Sequence, residues 1–174
     1  FREVVALDGS APHVAEARSR YPKINFVHAL AEEYNASQAF DTITMITLLE
    51  HVRDPVELLQ AVSKNLAPSG VIIAHVPNAL AVNRKIARLM GTLTDEYELS
   101  PFDIDIAGHR RSYDLDLLRS DFENAGLKIK TAGGVFYKML STPQINWLLE
   151  NGPWEEGGFG WGRVGAEKNK DWRE

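Results

Sequence analysis

A single carboxylate at the end of an apolar run is the first residue whose type and position suit chemistry. Asp8 follows the apolar residues 4–7 and is itself followed by Gly9 and Ser10. A carboxylate just past the carboxyl end of a buried strand faces the crevice in which open α/β sheets bind ligands. It can accept hydrogen bonds from both hydroxyls of a ribose, so Asp8 indicates an adenosine-containing cofactor. An ordinary strand–Asp–Gly turn fits the same residues equally well.

Two histidines are candidates for a general base, because histidine can exchange a proton near neutral pH. His109 stands in a Gly-His-Arg-Arg sequence at the end of a long polar stretch and is the first candidate. The alternative is a loop histidine that only caps the helix after it. His51, in a Leu-Glu-His triplet, is the second candidate. It can equally fix its turn by hydrogen bonding, with Glu50 as its partner.

The residues next to His109 are candidates for binding a substrate. Arg110 or Arg111 can bind a carboxylate or phosphate group, and we expect Tyr113 to contact the same molecule. Metal ligation has little support in the sequence, since no His-x-x-x-His spacing or comparable carboxylate cluster stands on one face. Cysteine is absent, which excludes disulfides and cysteine-ligated zinc. The sequence therefore predicts no metal site.

Alternating strands and helices must position these residues. Apolar and β-branched runs predict strands at residues 4–7, 24–28, 41–47, 71–76 and 127–131. Amphipathic periodicity and capping residues predict helices at 11–20, 54–66, 79–90, 114–125 and 141–150. Residues 92–112 read as a polar loop, and a loop of that length is usually functional or mobile. The alternation predicts an α/β fold with a doubly wound, mostly parallel sheet and helices on both faces.

Composition limits the class of partner. The chain has 174 residues and a net charge of −5, without a basic stretch, which argues against a nucleic-acid partner. No apolar run approaches the ~20 residues of a membrane span, and no signal peptide is recognisable. A cytoplasmic protein with no membrane partner is the default expectation. The tryptophans at positions 154, 161 and 172 are candidates for an interface, as in a homodimer.

Three segments share a common pattern. They are VVALDGS at residues 4–10, FDTITMITLLEHVRDP at 40–55 with its continuation to Val-Pro-Asn at 76–78, and GHRRSYDLDLLRSDFENAG at 108–126. Together they resemble class I S-adenosylmethionine-dependent methyltransferases, in particular the small-molecule branch that includes ubiquinone-type O-methyltransferases. The resemblance covers roughly residues 4–140 and implies a Rossmann-like fold with S-adenosylmethionine as the cofactor.

The resemblance also implies which residues bind that cofactor: Asp8, Gly9, Leu30, Ala31, Glu32, Ile46 and Thr47. Asp8 stands where the family holds the ribose. Leu30 stands where many members have an aspartate for the adenine amino group, so that contact falls to backbone atoms or to Glu32. Ile46 and Thr47 end the strand that, in the family, lies beside the methionine portion of the cofactor. Without the family pattern, these positions read as ordinary strand ends and a solvated helix start.

One expected part is missing from the pattern. The family's first strand and glycine-rich loop would precede residue 1, and that strand would lie between the strands at 4–7 and 41–47. We therefore expect residues 1–140 to be a partial methyltransferase domain, 141–174 a C-terminal extension, and the chain a fragment that binds the cofactor poorly alone.

Methyl transfer to a small-molecule acceptor, most readily at oxygen, is the leading interpretation of the function. The alternatives are a non-catalytic methyltransferase-like subunit and a nicotinamide-dependent oxidoreductase. The latter requires a G-x-G-x-x-G motif upstream, and it does not explain the Leu-Glu-His, Asp-Pro and Pro-Asn series.

Overall fold

The computed structural model describes residues 2–135, 137, 139–141 and 145 of the chain. The chain divides into two compact units, Phe1–Phe136 and Tyr137–Glu174. All of the elements named below belong to the first unit. The predicted division into residues 1–140 and 141–174 stays a prediction. The helix expected at 141–150 lies almost entirely outside the described residues, as do the three tryptophans.

The first pair of strands is joined by a helix. Strand β1 (Val5–Asp8) pairs in parallel with β2 (Asn25–His28), and helix α1 (Ala11–Arg20) connects them. Ser10 caps α1 because its side chain accepts a hydrogen bond from the backbone N–H of His13. Val14 is the one buried residue of α1. These elements begin and end within one residue of the predicted ones.

The second pair of strands and the helix between them contribute most of the buried core. Strand β3 (Phe40–Ile46) pairs in parallel with β4 (Leu66–His75), and helix α2 (Pro55–Ser63) connects them. Asp54 caps α2 by accepting a hydrogen bond from the backbone N–H of Glu57. Six buried residues form the centre of the core: Met45, Leu49, Leu58, Leu59, Val62 and Tyr113.

The second half of the first unit contains two more helices and a short π-helix. Helix α3 (Val82–Leu89) follows β4, a π-helix spans Phe102–Ile106, and helix α4 (Leu115–Asn124) closes the series. Helix α4 packs against α2. Leu118 and Phe122, one turn apart on α4, contribute to the core.

Four expectations about the elements are wrong. Helix α3 begins at Val82 instead of residue 79, because the backbone of Asn78 and Ala79 pairs with that of Tyr113. Helix α2 ends at Ser63 instead of near residue 66, because β4 begins at Leu66. The Pro-Ser-Gly sequence lies within β4, at the irregularity between the pairs Phe40–Leu66 and Thr42–Val71. Residues 127–131 form no strand, since they pair with no other strand among the described residues. The polar stretch 92–112 is not wholly irregular, because it contains the π-helix.

Backbone hydrogen bonds between the described strands occur in two separate pairs, β1–β2 and β3–β4. The four strands therefore form two parallel two-stranded sheets in this structure, where the sequence predicted one sheet. Each strand pair is joined by a helix, which is the βαβ unit of α/β proteins.

No helix within the described part of the chain is both long and apolar enough to cross a membrane.

Candidate active site

Asp8 occupies the position that the sequence predicted, at the carboxyl end of β1. It pairs in register with His28, the last residue of β2. Its Oδ1 accepts a hydrogen bond of 2.7 Å from the backbone N–H of Ser10. The side chain of Asp8 remains 51% exposed. The carboxylate therefore fixes its own turn and stays accessible to a ligand, so the two readings of this residue are compatible.

Close approach of backbone to side chain explains the glycine after Asp8. A Cβ on Gly9 would lie 3.0 Å from Cδ2 of Leu30, which is tighter than ordinary van der Waals contact. Leu30 is 53% exposed, and it presents an apolar surface in the turn after β2. Ala31 packs against the core, whereas Glu32 is exposed. The end of this sheet therefore offers a carboxylate and an apolar surface, as an adenosine group requires.

The end of β3 has a strained backbone. Ile46, the last residue of the strand, is 58% exposed although it is large and apolar. Thr47 follows with a φ of 49°, and it is the only residue other than glycine with a positive φ in the described chain. Positive φ is costly for a β-branched residue, and such strain is concentrated at functional sites. The structure therefore gives Ile46 and Thr47 features typical of a ligand-binding strand end.

The structure brings His51 and His109 together. The segment before α4 runs beside the turn after β3, where the backbone N–H of Arg110 donates to the carbonyl of Glu50 at 2.8 Å. This pairing places the two imidazole rings edge to face, with 4.9 Å between their centres and 72° between their planes. Both histidines predicted to act as bases therefore lie at one place.

Glu50 completes a cluster of three side chains, which we name the Glu50–His51–His109 cluster. One potential ligand atom from each residue lies within 4.8 Å of the other two. Glu50 is 1% exposed, and neither of its carboxylate oxygens has a hydrogen-bond partner among the described residues. Nε2 of His51 lies 3.8 Å from Oε1 of Glu50, which is too long for a hydrogen bond. Sequence spacing missed this cluster because His109 is far from the other two residues along the chain.

Asp103 orients His109. Its backbone carbonyl accepts the His109 backbone N–H at 2.8 Å, and its Oδ1 lies 3.7 Å from Nδ1 of His109. Its Oδ2 accepts hydrogen bonds from Ser100 and from Arg84 of α3. Burial opposes ionisation of Asp103, but the hydrogen bonds from Ser100 and Arg84 outweigh it and keep the pKa of Asp103 below its ordinary value. An ionised carboxylate therefore faces His109.

The two arginines beside His109 have different surroundings. Arg111 donates to the backbone carbonyls of Leu49 and Arg53, at 3.4 Å and 2.9 Å, so its guanidinium holds the turn after β3. Arg110 is exposed. The structure therefore gives Arg111 a structural contact and leaves Arg110 better placed for a ligand. The binding of an acceptor by either residue stays a prediction.

Tyr113 lies in the core and is 2% exposed. Its hydroxyl donates to Oδ2 of Asp121 at 2.6 Å. Burial, together with the hydrogen bond to Asp121, raises the pKa of Tyr113 far above its ordinary value. Tyr113 therefore packs the segment after His109 onto α4. A substrate contact by this residue stays a prediction.

A small cavity adjoins the Glu50–His51–His109 cluster. Its volume is about 40 Å³, and Glu50, Arg84, Asp103, His109 and Arg111 contribute to its wall. A volume of this size holds about three water molecules, since one water needs roughly 10–15 Å³ measured in the same way. Charged side chains, together with the apolar Pro77 and Ala79, therefore line a space for small ligands or for part of a larger one.

Curated relatives of this chain include methyltransferases. A probable S-adenosylmethionine-dependent methyltransferase of Mycolicibacterium smegmatis is 24% identical over 168 residues, which are 89% of this chain and 60% of that protein. A ubiquinone biosynthesis O-methyltransferase of Shewanella sp. (strain ANA-3) is 28% identical over 131 residues, or 71% of this chain and 53% of that protein. The chain thus spans about half to three-fifths of the length of these relatives.

Solved structures share the fold. An S-adenosylmethionine-dependent methyltransferase from Mesorhizobium loti matches with a TM-score of 0.58 and 17% identity, over 85% of this chain and 72% of that one. A second such methyltransferase, from Clostridium acetobutylicum, matches with a TM-score of 0.53 and 17% identity, over 75% and 66% of the two chains. These likenesses confirm the predicted α/β, Rossmann-like fold.

The family follows from a match that covers most of the chain. The model of a methyltransferase domain family matches residues 1–132. That range includes Asp8, the end of β3 and the Glu50–His51–His109 cluster, and it confirms the resemblance seen in the three sequence segments. The chain belongs to this family of methyltransferase domains.

Proposed function

We propose that the protein transfers a methyl group from S-adenosylmethionine to an oxygen atom of a small-molecule acceptor. The observation that carries this proposal is the Glu50–His51–His109 cluster, in which three groups that accept protons or positive charge converge directly after β3. Glu50 and His109 also line the adjoining cavity. Methylation of a neutral hydroxyl releases a proton, and groups of this kind can take it up.

The ends of the strands fit the cofactor. S-Adenosylmethionine supplies an electrophilic methyl group when it is bound. The residues that would hold it are Asp8, Gly9, Leu30, Ala31, Glu32, Ile46 and Thr47. The exposed carboxylate of Asp8 suits the two ribose hydroxyls. Gly9 has no Cβ, which would otherwise crowd the side chain of Leu30. The exposed, apolar side chain of Leu30 suits contact with a flat adenine ring.

His109 is the residue that we expect to receive the proton of the acceptor. Its Nδ1 faces the carboxylate of Asp103, which favours a proton on Nδ1 and leaves the lone pair on Nε2. The imidazole ring of His51 packs edge to face against the ring of His109, so a second imidazole lies beside the proposed base. Arg110, which is exposed next to His109, is suited to a carboxylate or phosphate on the acceptor. These residues would position the acceptor and exclude water, the main tasks in a displacement of this kind.

The relatives support oxygen as the methylated atom. Several of them are named as ubiquinone biosynthesis O-methyltransferases, including the one from Shewanella and one from Xanthomonas euvesicatoria that is 29% identical over 141 residues. Those names support an O-methyltransferase without identifying the acceptor of this protein.

The test is a methyl-transfer assay on the full-length natural protein with S-adenosylmethionine that carries a tritiated methyl group. The acceptors are catechols, sugars and hydroxy acids, each paired with its amino analogue. We expect transfer to hydroxyl compounds and a fall in kcat of at least ~100-fold in His109→Gln, the usual contribution of a general base. Arg119→Gln, on the exposed side of α4, is the control and keeps full activity. Transfer to amines alone, or to none of these compounds, contradicts the proposal.

A further inference from the structure

A backbone carbonyl lies near Nδ1 of His51, and a carboxylate lies near Nδ1 of His109. Nδ1 of His51 lies 3.2 Å from the carbonyl oxygen of Gly108. Because a carbonyl can only accept, this Nδ1 carries the proton and Nε2 of the neutral ring has the lone pair. Nδ1 of His109 lies 3.7 Å from Oδ1 of Asp103, and a carboxylate on that side of the ring favours the same tautomer. A carbonyl or carboxylate on the far ring nitrogen is the usual arrangement around metal-binding histidines.

Glu50 adds an acceptor that nothing else in the described structure satisfies. Its side chain is 2% exposed, and both of its carboxylate oxygens are buried without a hydrogen-bond partner. A buried carboxylate destabilises the folded state unless a proton, a donor or a cation compensates it. Two imidazole lone pairs beside it supply no such compensation, because they are acceptors as well.

We propose that Glu50, His51 and His109 bind one divalent transition-metal ion, with Zn²⁺ as the ion that suits the donors best. Two imidazole nitrogens and one carboxylate oxygen are a common ligand set for Zn²⁺ in sites that keep a coordination position open. A positive ion at this place compensates the buried carboxylate and uses both imidazole lone pairs. The inference goes beyond the proposed methyl transfer, because the three side chains alone carry it.

The dimensions of the cluster are compatible with an ion. The three donor atoms lie within 4.8 Å of one another. Ligands at about 2.0–2.2 Å from a tetrahedral zinc lie roughly 3.5 Å apart, so the side chains must move inward by about an ångström. The neighbouring cavity of about 40 Å³, which Glu50 and His109 line, has room for water ligands or for an acceptor oxygen.

This site changes the role of the two histidines in the proposed function. With an ion bound, His51 and His109 are ligands, and the ion supplies the positive charge that lowers the pKa of an acceptor hydroxyl. The proton of that hydroxyl then leaves to solvent. Without an ion, His109 remains the base. The metal site therefore refines the acceptor side of the proposal, and it can be tested without turnover.

The test is a calorimetric titration of Zn²⁺ into the full-length, chelator-treated protein, with the visible spectrum of the Co²⁺ form as a second measurement. We expect one ion per chain, and a loss of affinity of at least about 100-fold in Glu50→Gln and in His109→Ala, more than a residue behind a ligand usually contributes. Asp103→Asn, which removes the charge behind His109, is expected to weaken binding by about 10–100-fold.

A matched control uses a histidine next to a carboxylate elsewhere in the chain. His13 lies 4.0 Å from Asp8 and is exposed, and His13→Gln should leave Zn²⁺ binding unchanged. If Glu50→Gln fails to fold, His109→Ala decides, since His109 lies on a partly exposed loop. A wild-type protein that binds no Zn²⁺ at micromolar concentrations overturns the inference, as does binding that survives in His109→Ala. Methyl transfer that persists in the metal-free protein would reject only the role of the ion.

Discussion

The carbonyl oxygen of Gly108 lies 3.2 Å from Nδ1 of His51, across 57 residues of sequence. Gly108 has a φ of 73°, a conformation that residues with side chains rarely adopt. This backbone conformation turns the chain at the point where the polar stretch meets the turn after β3. A single hydrogen bond of this kind therefore fixes the tautomer of one histidine and brings the second histidine, His109, to its side.

We expect Tyr113→Phe to lower the free energy of unfolding by about 1.5–3 kcal/mol, the range for a hydrogen bond to a charged group. The variant keeps the ring in the core but removes the donor to Asp121. Urea unfolding followed by circular dichroism measures the change. Asp121→Asn, which retains an acceptor for the hydroxyl, should cost less. Equal stability of Tyr113→Phe and wild type would show that this hydrogen bond contributes nothing.

Gly70→Ala should destabilise the protein by about 1–3 kcal/mol through overpacking. A Cβ at Gly70 would lie 2.8 Å from the carbonyl oxygen of Phe40 and 3.0 Å from Cδ2 of Leu66. The nearest of these atoms belongs to the backbone of β3, which cannot move aside easily. Gly134→Ala is the matched control, because a Cβ there would meet no atom within 4 Å. Similar melting temperatures for the two variants would contradict the close contact between β3 and β4.

Asp114 should make stability depend on pH in the acid range. Hydrogen bonds from the backbone N–H of Leu117 and the hydroxyl of Tyr97 hold the pKa of Asp114 below its ordinary value of 3.8. A carboxyl group with a lowered pKa in the folded state stabilises the protein above its unfolded pKa, and this contribution is lost as the pH falls through the folded value. The same hydrogen bond raises the pKa of Tyr97 to about 12.

Asp114→Asn tests this pH dependence. The variant keeps a side-chain oxygen that can cap α4 but has no charge to titrate. We expect its free energy of unfolding to change less than that of wild type when the pH is lowered below 3.8. Asp114→Ala also loses the cap and should cost about 1 kcal/mol at neutral pH. Asp116→Asn, on the exposed side of the same helix, is the control. A wild-type slope in Asp114→Asn would assign the acid sensitivity to other groups.

Local patterns predicted most of the elements correctly. Capping residues such as Ser10 and Asp54 mark helix starts by hydrogen bonds within four residues, so their signal is complete in the sequence. The strand expected at 127–131 failed because strand formation needs a partner that local composition cannot specify. The end of α2 was missed because the pairing of Leu66 with Phe40 ends the helix before its apolar pattern does.

The site could be predicted only in part, because contacts between distant segments of the chain are not visible in local sequence patterns. Asp8 and Thr47 lie at strand ends that a run of apolar residues reveals. The convergence of Glu50, His51 and His109 depends on hydrogen bonds between distant segments, such as the one from Arg110 to the Glu50 carbonyl. No spacing rule within one helix or strand contains that information.

The most direct test of the central claim is a calorimetric titration of S-adenosylhomocysteine into the full-length natural protein and its Asp8→Ala variant. We predict micromolar binding by the wild type and a loss of ~1.5–3 kcal/mol in Asp8→Ala, the range for hydrogen bonds to a charged group. Asp41→Ala, an exposed carboxylate near the amino end of β3, should bind as the wild type does. No binding by the wild type, or equal affinities for wild type and Asp8→Ala, would contradict the assignment of this strand end as the cofactor site.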